Sequence, residues 1–136
     1  MSLPDLKARL ILEATVSPSE DPAKVARALG NVVGLGPEAA SVGAQAARLV
    51  TEEARPLEHV RDQLRDRHVR SAARRQLLLN KTGVSTSMML NRQAAAVGVV
   101  AVCGGPQESA LGPIYLTLSS AKLDEAIDWL TAYAGG

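Results

Sequence analysis

Apolar and polar residues alternate in three stretches of the chain, as they do in strands that bury only one face. In the stretch RLILEATV, residues 9–16, the apolar set is Leu10, Leu12, Ala14 and Val16. In VSTSMML, residues 84–90, it is Val84, Thr86, Met88 and Leu90, and in IYLTLSS, residues 114–120, it is Ile114, Leu116 and Leu118. The pattern therefore predicts three strands with one buried face each.

Two further segments are predicted to be strands on weaker patterns. VGVVAVC, residues 97–103, is rich in valine and apolar on both faces. ASVGAQAARLV, residues 40–50, alternates at Val42, Ala44 and Ala46, although its alanines permit a helix equally well. The segment NRQAAA, residues 91–96, is predicted to be either a polar strand end or bend, or a binding loop that supplies Arg92 and Gln93 beside the basic helix.

Helical spacing of apolar residues predicts four helices. The first has Asp21 as N-cap and Pro22 as its first residue, buries Val25, Leu29, Val32 and Val33, and stops at Gly34, Gly36 and Pro37. The second opens at Pro56 and buries Leu57, Val60 and Leu64, and the third buries Val69, Ala72, Ala73 and Leu77. These two apolar sets point about 150° apart on one straight helix, so a break is predicted near residues 66–68. Ser120 is predicted to cap the last helix, which buries Leu123, Ile127 and Leu130 and stacks Trp129 on Tyr133.

The resulting order is β–α–(β)–α–α–β–β–β–α. Because the three late strands follow one another closely, antiparallel pairing is favoured. We expect a single α+β domain over residues 1–136, a two-layer sandwich of a mainly antiparallel sheet with helices on one face. The chain has no Phe, one Trp and two Tyr, so its core must be aliphatic.

Three features predict a cytoplasmic protein. No apolar run approaches the roughly 18 residues of a membrane span. The stretch MSLPDLKARLILEA has an acidic residue before its apolar part and is a poor signal peptide. A lone Cys103 excludes an intrachain disulfide and fits a reducing compartment.

Charge is segregated along the chain although the net charge is only +1. Residues 61–75 hold six arginines and two aspartates. Within them Arg67, Arg70 and Arg74 are spaced to share one helix stripe, opposite the side marked by Val69, Ala73 and Gln76, and Arg75 flanks them. Guanidinium groups match phosphate geometry and contact it bidentately. The cluster therefore indicates either a phosphate-binding surface or a solvated helix face.

Other chemistry has weak support in the sequence. His59, His68 and Cys103 are too scattered to predict a metal site, and Asp62/Asp66 and Asp124/Asp128 are best interpreted as charges on helix surfaces. The stretch GVSTS lacks the second glycine of a nucleophile elbow, and neither glycine-rich stretch is a nucleotide-binding loop. We predict no catalytic residue, no metal and no cofactor.

Four stretches together resemble an archaeal family, uncharacterised protein family 0201. They are SPSEDPAKVARALGNVV, LRDRHVRSAARRQLL, LNRQAAAVGVV and LGPIYLTL, with AIDWL matching the closing helix. The likeness runs from about residue 9 to 133 and is weakest across 35–55. Arg92 stands where the family usually has Lys, and Ser71 replaces an expected acidic residue.

The resemblance implies several properties of this chain. They are a fold similar to the ribosomal protein that binds 5S rRNA, a dimer, and a role in RNA binding or with the exosome. It bears more closely on the fold than on the activity, since the family's own function is inferred.

The sequence favours a non-enzymatic RNA-binding protein whose partner is structured RNA or a ribonucleoprotein. Its predicted contacts are Arg67, Arg70, Arg74 and Arg75, with Lys81, Asn91, Arg92 and Gln93 as a second patch. The alternative is a protein–protein interaction module of a ribonucleoprotein assembly, in which the arginines only solubilise the surface. A homodimer is expected, because residues 97–102 are apolar on both faces and one sheet face lacks helices.

Overall fold

The computed structural model describes residues 6–132, and of Arg67 it describes only the backbone. Within that range the strands are β1 Arg9–Thr15, β2 Ser41–Val42, β3 Ala46–Thr51, β4 Ser85–Leu90 and β5 Ile114–Ser119. The helices are α1 Pro22–Val33, α2 Ala54–Gln63, α3 Arg67–Leu79, α4 Arg92–Ala96 and α5 Leu123–Leu130. Short 3₁₀ turns lie at Pro37–Ala39 and Pro106–Glu108.

The strands form one antiparallel sheet in the order β2-β3-β1-β5-β4. Leu12 of β1 lies between Leu49 of β3 and Leu116 of β5, and all three side chains are buried. Alternate residues of the same strands, such as Glu13 and Arg48, are exposed. One face of the sheet is therefore covered by helices and the other is open, which confirms the predicted α+β class with antiparallel pairing.

Helix α1 begins and ends where the sequence predicts. The Asp21 side chain accepts a hydrogen bond from the Ala23 N–H at 3.0 Å, and Pro22 is the first helical residue. Gly34 adopts φ 71° in the C-cap, a left-handed conformation that glycine tolerates. A Cβ there would come within 2.8 Å of His59 Nδ1, so the glycine also lets α2 pack closely.

The predicted break between the second and third helices is confirmed. Helix α2 ends at Gln63, and Asp66 caps α3 by accepting hydrogen bonds from the N–H groups of His68 and Val69 at 2.9 and 3.3 Å. The prediction that Pro56 is the first residue of α2 is wrong, because the helix begins at Ala54. Proline fits anywhere in the first turn, since those N–H groups have no partner within the helix.

The predicted strand over residues 97–103 is wrong. Asn91 caps α4 by accepting from the Ala94 N–H at 2.8 Å, and the chain leaves the helix through Gly98 at φ 84°. Val97 is 78% exposed, and only an isolated bridge between Val102 and Leu90 remains of the strand. The local Asn cap and glycine exit outweigh the strand propensity of the valines.

The segment over residues 40–50 forms two strands with a turn, not one. The Gly43 N–H donates to the Ala46 carbonyl at 2.8 Å and closes this turn. The alternating residues Val42, Ala44 and Ala46 are exposed, and the buried residues are Ala47 and Leu49. Because side chains alternate between the two faces of a strand, a turn inside the segment changes which residues point inward.

Smaller corrections concern the strand and helix ends. Val84 is 58% exposed, because β4 begins one residue later. Ser120 accepts from the Lys122 N–H at 3.0 Å and donates to the Leu6 carbonyl, but α5 starts at Leu123 without a side-chain cap. The predicted contact of Trp129 with Tyr133 lies outside the described residues. No helix between residues 6 and 132 has the length and apolar character that a membrane crossing requires.

Candidate nucleic-acid interface

Helix α3 is fixed to the edge of the sheet by one flank. Ala73 and Leu77 are fully buried, and the Gln76 side chain accepts from the Met89 N–H at 2.9 Å and donates to the Cys103 carbonyl. Asn80 donates to the Ser87 carbonyl at 2.9 Å. These amide groups bond the Met89 N–H and the Ser87 carbonyl on the free edge of β4, and they determine which flank of α3 faces outward.

The arginines of α3 occupy the remaining flanks and are not equally exposed. Arg75 is exposed, whereas Arg70 and Arg74 are half-buried. Of the predicted stripe of Arg67, Arg70 and Arg74, the last two are therefore only partly exposed. Helix α5 packs beside α3 on the flank that carries Arg74, while Arg70 Nη1 turns back to the Arg65 carbonyl at 3.3 Å.

Helix α5 supplies acidic partners to two of the predicted RNA contacts. Arg74 Nη1 lies 2.8 Å from an Asp128 oxygen and donates to Thr131 Oγ1 at 3.1 Å. Lys81 Nζ lies 2.6 Å from Asp124 Oδ1. Asp124 and Asp128 are one turn apart, so Arg74 and Lys81 flank the same stripe of α5. Their i, i+4 spacing is visible in the sequence, but it does not show which helix carries their partners.

Arg92 is a buried structural residue. Its side chain is 5% exposed, and Nη1 lies 2.8 and 2.7 Å from the two carboxylate oxygens of Glu20. Nε donates to the Gly112 carbonyl at 3.1 Å, and Nη2 lies 3.3 Å from Thr15 Oγ1. The predicted second patch requires an exposed charge on Arg92. Because its partners are internal, Arg92 does not present its charge at the surface.

The neighbours of Arg92 also serve the fold. Asn91 caps α4, as described above, and Gln93 donates to the Ala110 carbonyl at 2.8 Å while accepting from Ser109 Oγ at 3.0 Å. Ser109 Oγ in turn accepts from the Arg92 N–H at 3.0 Å. The NRQ stretch therefore ties α4 to the loop over residues 104–113, and Lys81 lies apart from it, beside α5.

The Glu20 carboxylate is held in its charged form. Burial alone raises the pKa of Glu20, but the Ser17 N–H and the Arg92 guanidinium together hold this pKa below its ordinary value. The sequence does not predict this role of Glu20. Its only signal is that it is an acidic residue two positions before Pro22, which does not identify a partner 72 residues away.

Other binding chemistry is limited in the part of the chain that the structure describes. Residues 6–132 contain no group of three or more His, Cys, Asp or Glu residues that could hold a metal ion. The Arg61 guanidinium covers the Trp129 ring, 4.9 Å from its centre, so this indole is not an open platform for a base. Tyr115 is 43% exposed on the open face of the sheet. The interface that remains is on α3 and on Lys81, two residues after the helix ends. It consists of Arg70, Arg74, Arg75 and Lys81 and is here called the arginine surface.

Comparison with known proteins gives relatives over nearly the whole chain. A UPF0201 protein of Sulfurisphaera tokodaii is 35% identical over 125 residues, which cover 90% of this chain and 86% of that protein. A UPF0201 protein of Sulfolobus acidocaldarius is 33% identical over the same length and coverage. No family model matches the chain.

Solved structures of similar proteins agree in fold. The crystal structure of a UPF0201 protein from Methanococcus jannaschii has a TM-score of 0.73 at 24% identity and covers 94% of this chain and 96% of its own. A DUF54 protein from Methanothermobacter thermautotrophicus has a TM-score of 0.64 at 19% identity, with coverages of 90% and 93%. These likenesses bear on the fold alone.

Proposed function

The chain belongs to the UPF0201 family, an archaeal family whose name states no activity, and from the site geometry we propose a non-enzymatic protein that binds structured RNA. The observation that carries the proposal is the arginine surface, which gathers four cationic side chains on a chain with a net charge of only +1. A local cluster of this kind creates a positive field that the mean charge does not reveal. The contacts are to phosphates, through Arg70, Arg74, Arg75 and Lys81. Arg67, three residues before Arg70 in the same helix, is a further predicted contact.

The acidic partners on α5 weaken this surface but do not remove it. Side chains of Arg74 and Asp128 are 43% and 64% exposed, and those of Lys81 and Asp124 are 39% and 75% exposed. Ion pairs this exposed contribute about 0–1 kcal/mol, so a phosphate can replace a carboxylate at small cost. In the free protein the same pairs hold the cationic side chains close to α5, where one RNA backbone can contact several of them.

RNA rather than single-stranded DNA is the favoured polyanion, because a recognition surface without open aromatic rings suits shape and backbone contacts. A fold similar to the 5S-rRNA-binding ribosomal protein, association with the exosome and a cytoplasmic location belong to the same proposal. Each of them comes from the family resemblance or from the composition, and they make a folded RNA or a ribonucleoprotein the partner to test first.

Salt dependence tests the proposal directly. For about four phosphate contacts, the slope of log Kobs against log salt concentration should be near −3 to −4, because each contact releases condensed counterions. The measurement is the binding of a fluorescent RNA hairpin over about 0.05–0.3 M KCl. A slope near zero, or no binding at the low-salt end, would rule out a phosphate-contacting surface of this size.

A second candidate, a protein–protein interaction module, is favoured by apolar side chains at the C-terminal end of α3. Leu79 is 75% exposed and Leu78 is 43% exposed, and Val84 lies just before β4 at 58%. Exposed apolar groups of this kind suit a partner protein segment with apolar residues. This candidate predicts that RNA binding is absent and that the arginines only solubilise the surface.

We also propose a homodimer formed through the open sheet face. Val50, Ile11 and Thr117 are cross-strand neighbours there, and Glu13 lies between Arg48 and Tyr115. A surface that carries both Glu13 and Arg48 can complement a copy of itself rotated by a two-fold axis. Sedimentation at tens of micromolar protein should give twice 14.3 kDa, and Val50→Glu should shift the mass to that of one chain. A monomer mass for the unmodified protein would contradict the proposal.

A further inference from the structure

A cleft of about 340 Å³ lies between the N-terminal half of α1 and α4. Val25 and Ala28 of α1 line one side, Ala96 of α4 and Leu111 of the following loop contribute further apolar surface, and charged side chains complete the rim. Ligand sites occupy about 300–1,000 Å³ and combine apolar walls with a few polar groups. The volume suits one small ligand.

The backbone conformation of Leu111 indicates that this cleft is a ligand site. It has φ 66°, a left-handed conformation that is unfavourable for a residue with a Cβ, and its side chain is 53% exposed at the cleft. The residues on both sides are fixed: the Ala110 carbonyl accepts from Gln93 and the Gly112 carbonyl accepts from Arg92. An apolar side chain held exposed in a strained conformation is a feature of ligand-binding loops.

The charged groups of the cleft define the chemistry of its ligand. Glu20 and Arg92 largely neutralise each other, and the Glu20 carboxylate retains acceptor capacity beyond the hydrogen bonds it makes. At the rim, Asp21 is exposed and uses only Oδ1 in capping α1, and the Lys24 ammonium is exposed as well. A matching ligand has a flat apolar body, hydrogen-bond donors on one edge and a negative charge on another part.

We infer that the cleft binds one nucleotide whose base carries an exocyclic amino group. The base lies between the apolar walls, its amino group donates to the carboxylates of Asp21 and Glu20, and its phosphate lies near Lys24. Adenine, cytosine and guanine have such an amino group, and uracil does not. The inference rests on the proposed function, because the nucleotide is then an unpaired residue of the bound RNA.

Titration with free mononucleotides tests the cleft separately from the arginine surface. Chemical-shift titration of the ¹⁵N-labelled full chain should show AMP, CMP or GMP perturbing the amides near Lys24 and Gln93, with UMP binding at least tenfold more weakly. Ala96→Leu should weaken binding at least tenfold by filling the cleft. Val97→Leu is the matched control: it enlarges the neighbouring exposed residue, which does not line the cleft, and should leave the binding unchanged.

Binding to RNA shows whether the nucleotide in the cleft is an unpaired residue of a bound RNA or a free mononucleotide. RNA hairpins with an unpaired adenosine or an unpaired uridine in the same loop should differ in affinity, and Ala96→Leu should abolish the difference while leaving the salt slope intact. Replacing the arginines of the arginine surface should reduce the salt slope and leave the difference between the two hairpins intact. Mononucleotide binding without this loop preference would overturn the RNA assignment, and no binding of any mononucleotide at millimolar concentration would overturn the cleft itself. Failure of the salt test alone would contradict the arginine surface and leave the mononucleotide result standing.

Discussion

The variant Arg70→Gln/Arg74→Gln/Arg75→Gln is expected to bind folded RNA about 10²–10³-fold more weakly than the unmodified protein at about 0.1 M salt. Three phosphate contacts account for about two to three units of the log–log salt slope, and this electrostatic contribution fades toward about 1 M salt. Extrapolated back over one decade of salt, the lost slope gives the stated loss of affinity. The slope itself should fall by the same two to three units.

The fold should survive these three substitutions. Glutamine keeps part of the aliphatic stem that covers the helix, and the exposed Arg74–Asp128 pair contributes about 0–1 kcal/mol. Circular dichroism and urea denaturation of the variant should therefore resemble those of the unmodified protein. If the triple variant were unfolded, its loss of RNA affinity would not test the arginine surface. Arg75→Gln alone, at the most exposed of the three positions, therefore provides a second measurement of RNA affinity.

A matched control changes the same charge elsewhere. Arg9, Arg27 and Arg55 are exposed, and none of the three lies on α3. Replacing these three by Gln also lowers the net charge from +1 to −2, yet it should leave the salt slope within about one unit of the unmodified value. If both triple variants lose affinity equally, the protein attracts RNA by its overall charge and the arginine surface has no special role.

Periodicity predicted the parts of the fold whose hydrophobic faces are continuous. β1, β5 and α1 fall where their apolar spacing places them, because a buried face in every second or every third to fourth residue has few other interpretations. In segments rich in alanine or valine, the apolar pattern does not show which residues are buried, because burial there depends on the neighbouring elements of the fold. Residues 97–103 carry strand-forming side chains, but the capped helix before them redirects the chain and leaves Val97 and Val99 exposed.

The sequence shows the arginine cluster, but it does not show which of its members form ion pairs or are partly buried. Asp124 and Asp128 are more than 40 residues from Lys81 and Arg74 in the chain, so their pairing depends on how α5 packs against α3. Arg92 shows most clearly that the sequence does not identify partners that are distant along the chain. As one polar residue in NRQ it is equally suited to a binding loop or to a buried ion pair, and only Glu20, Thr15 and Gly112 decide between them.

Removal of the charge on Glu20 should destabilise the protein strongly. Glu20→Gln leaves the buried Arg92 guanidinium without its counter-ion, and breaking a buried pair on one side costs about 3–5 kcal/mol of unfolding free energy. That is a large fraction of the roughly 5–15 kcal/mol that stabilises an ordinary domain. Urea denaturation measures the loss, and Glu52→Gln at the exposed position after β3 is the control, expected to change stability by about 0.5 kcal/mol or less.

The pH dependence of this difference tests whether the charge is its cause. The pKa of Glu20 is lowered in the folded protein, so its stabilising contribution is fully present above the ordinary value of 4.5 and is lost as pH falls from there through the lowered pKa. The gap in unfolding free energy between the unmodified protein and Glu20→Gln should therefore be widest near neutral pH and shrink below 4.5. The double variant Glu20→Gln/Arg92→Met removes the unpaired charge and should be more stable than Glu20→Gln alone. A gap that stays constant into acid, together with a double variant that is no more stable, would show that Glu20 stabilises the fold by packing and not by its charge.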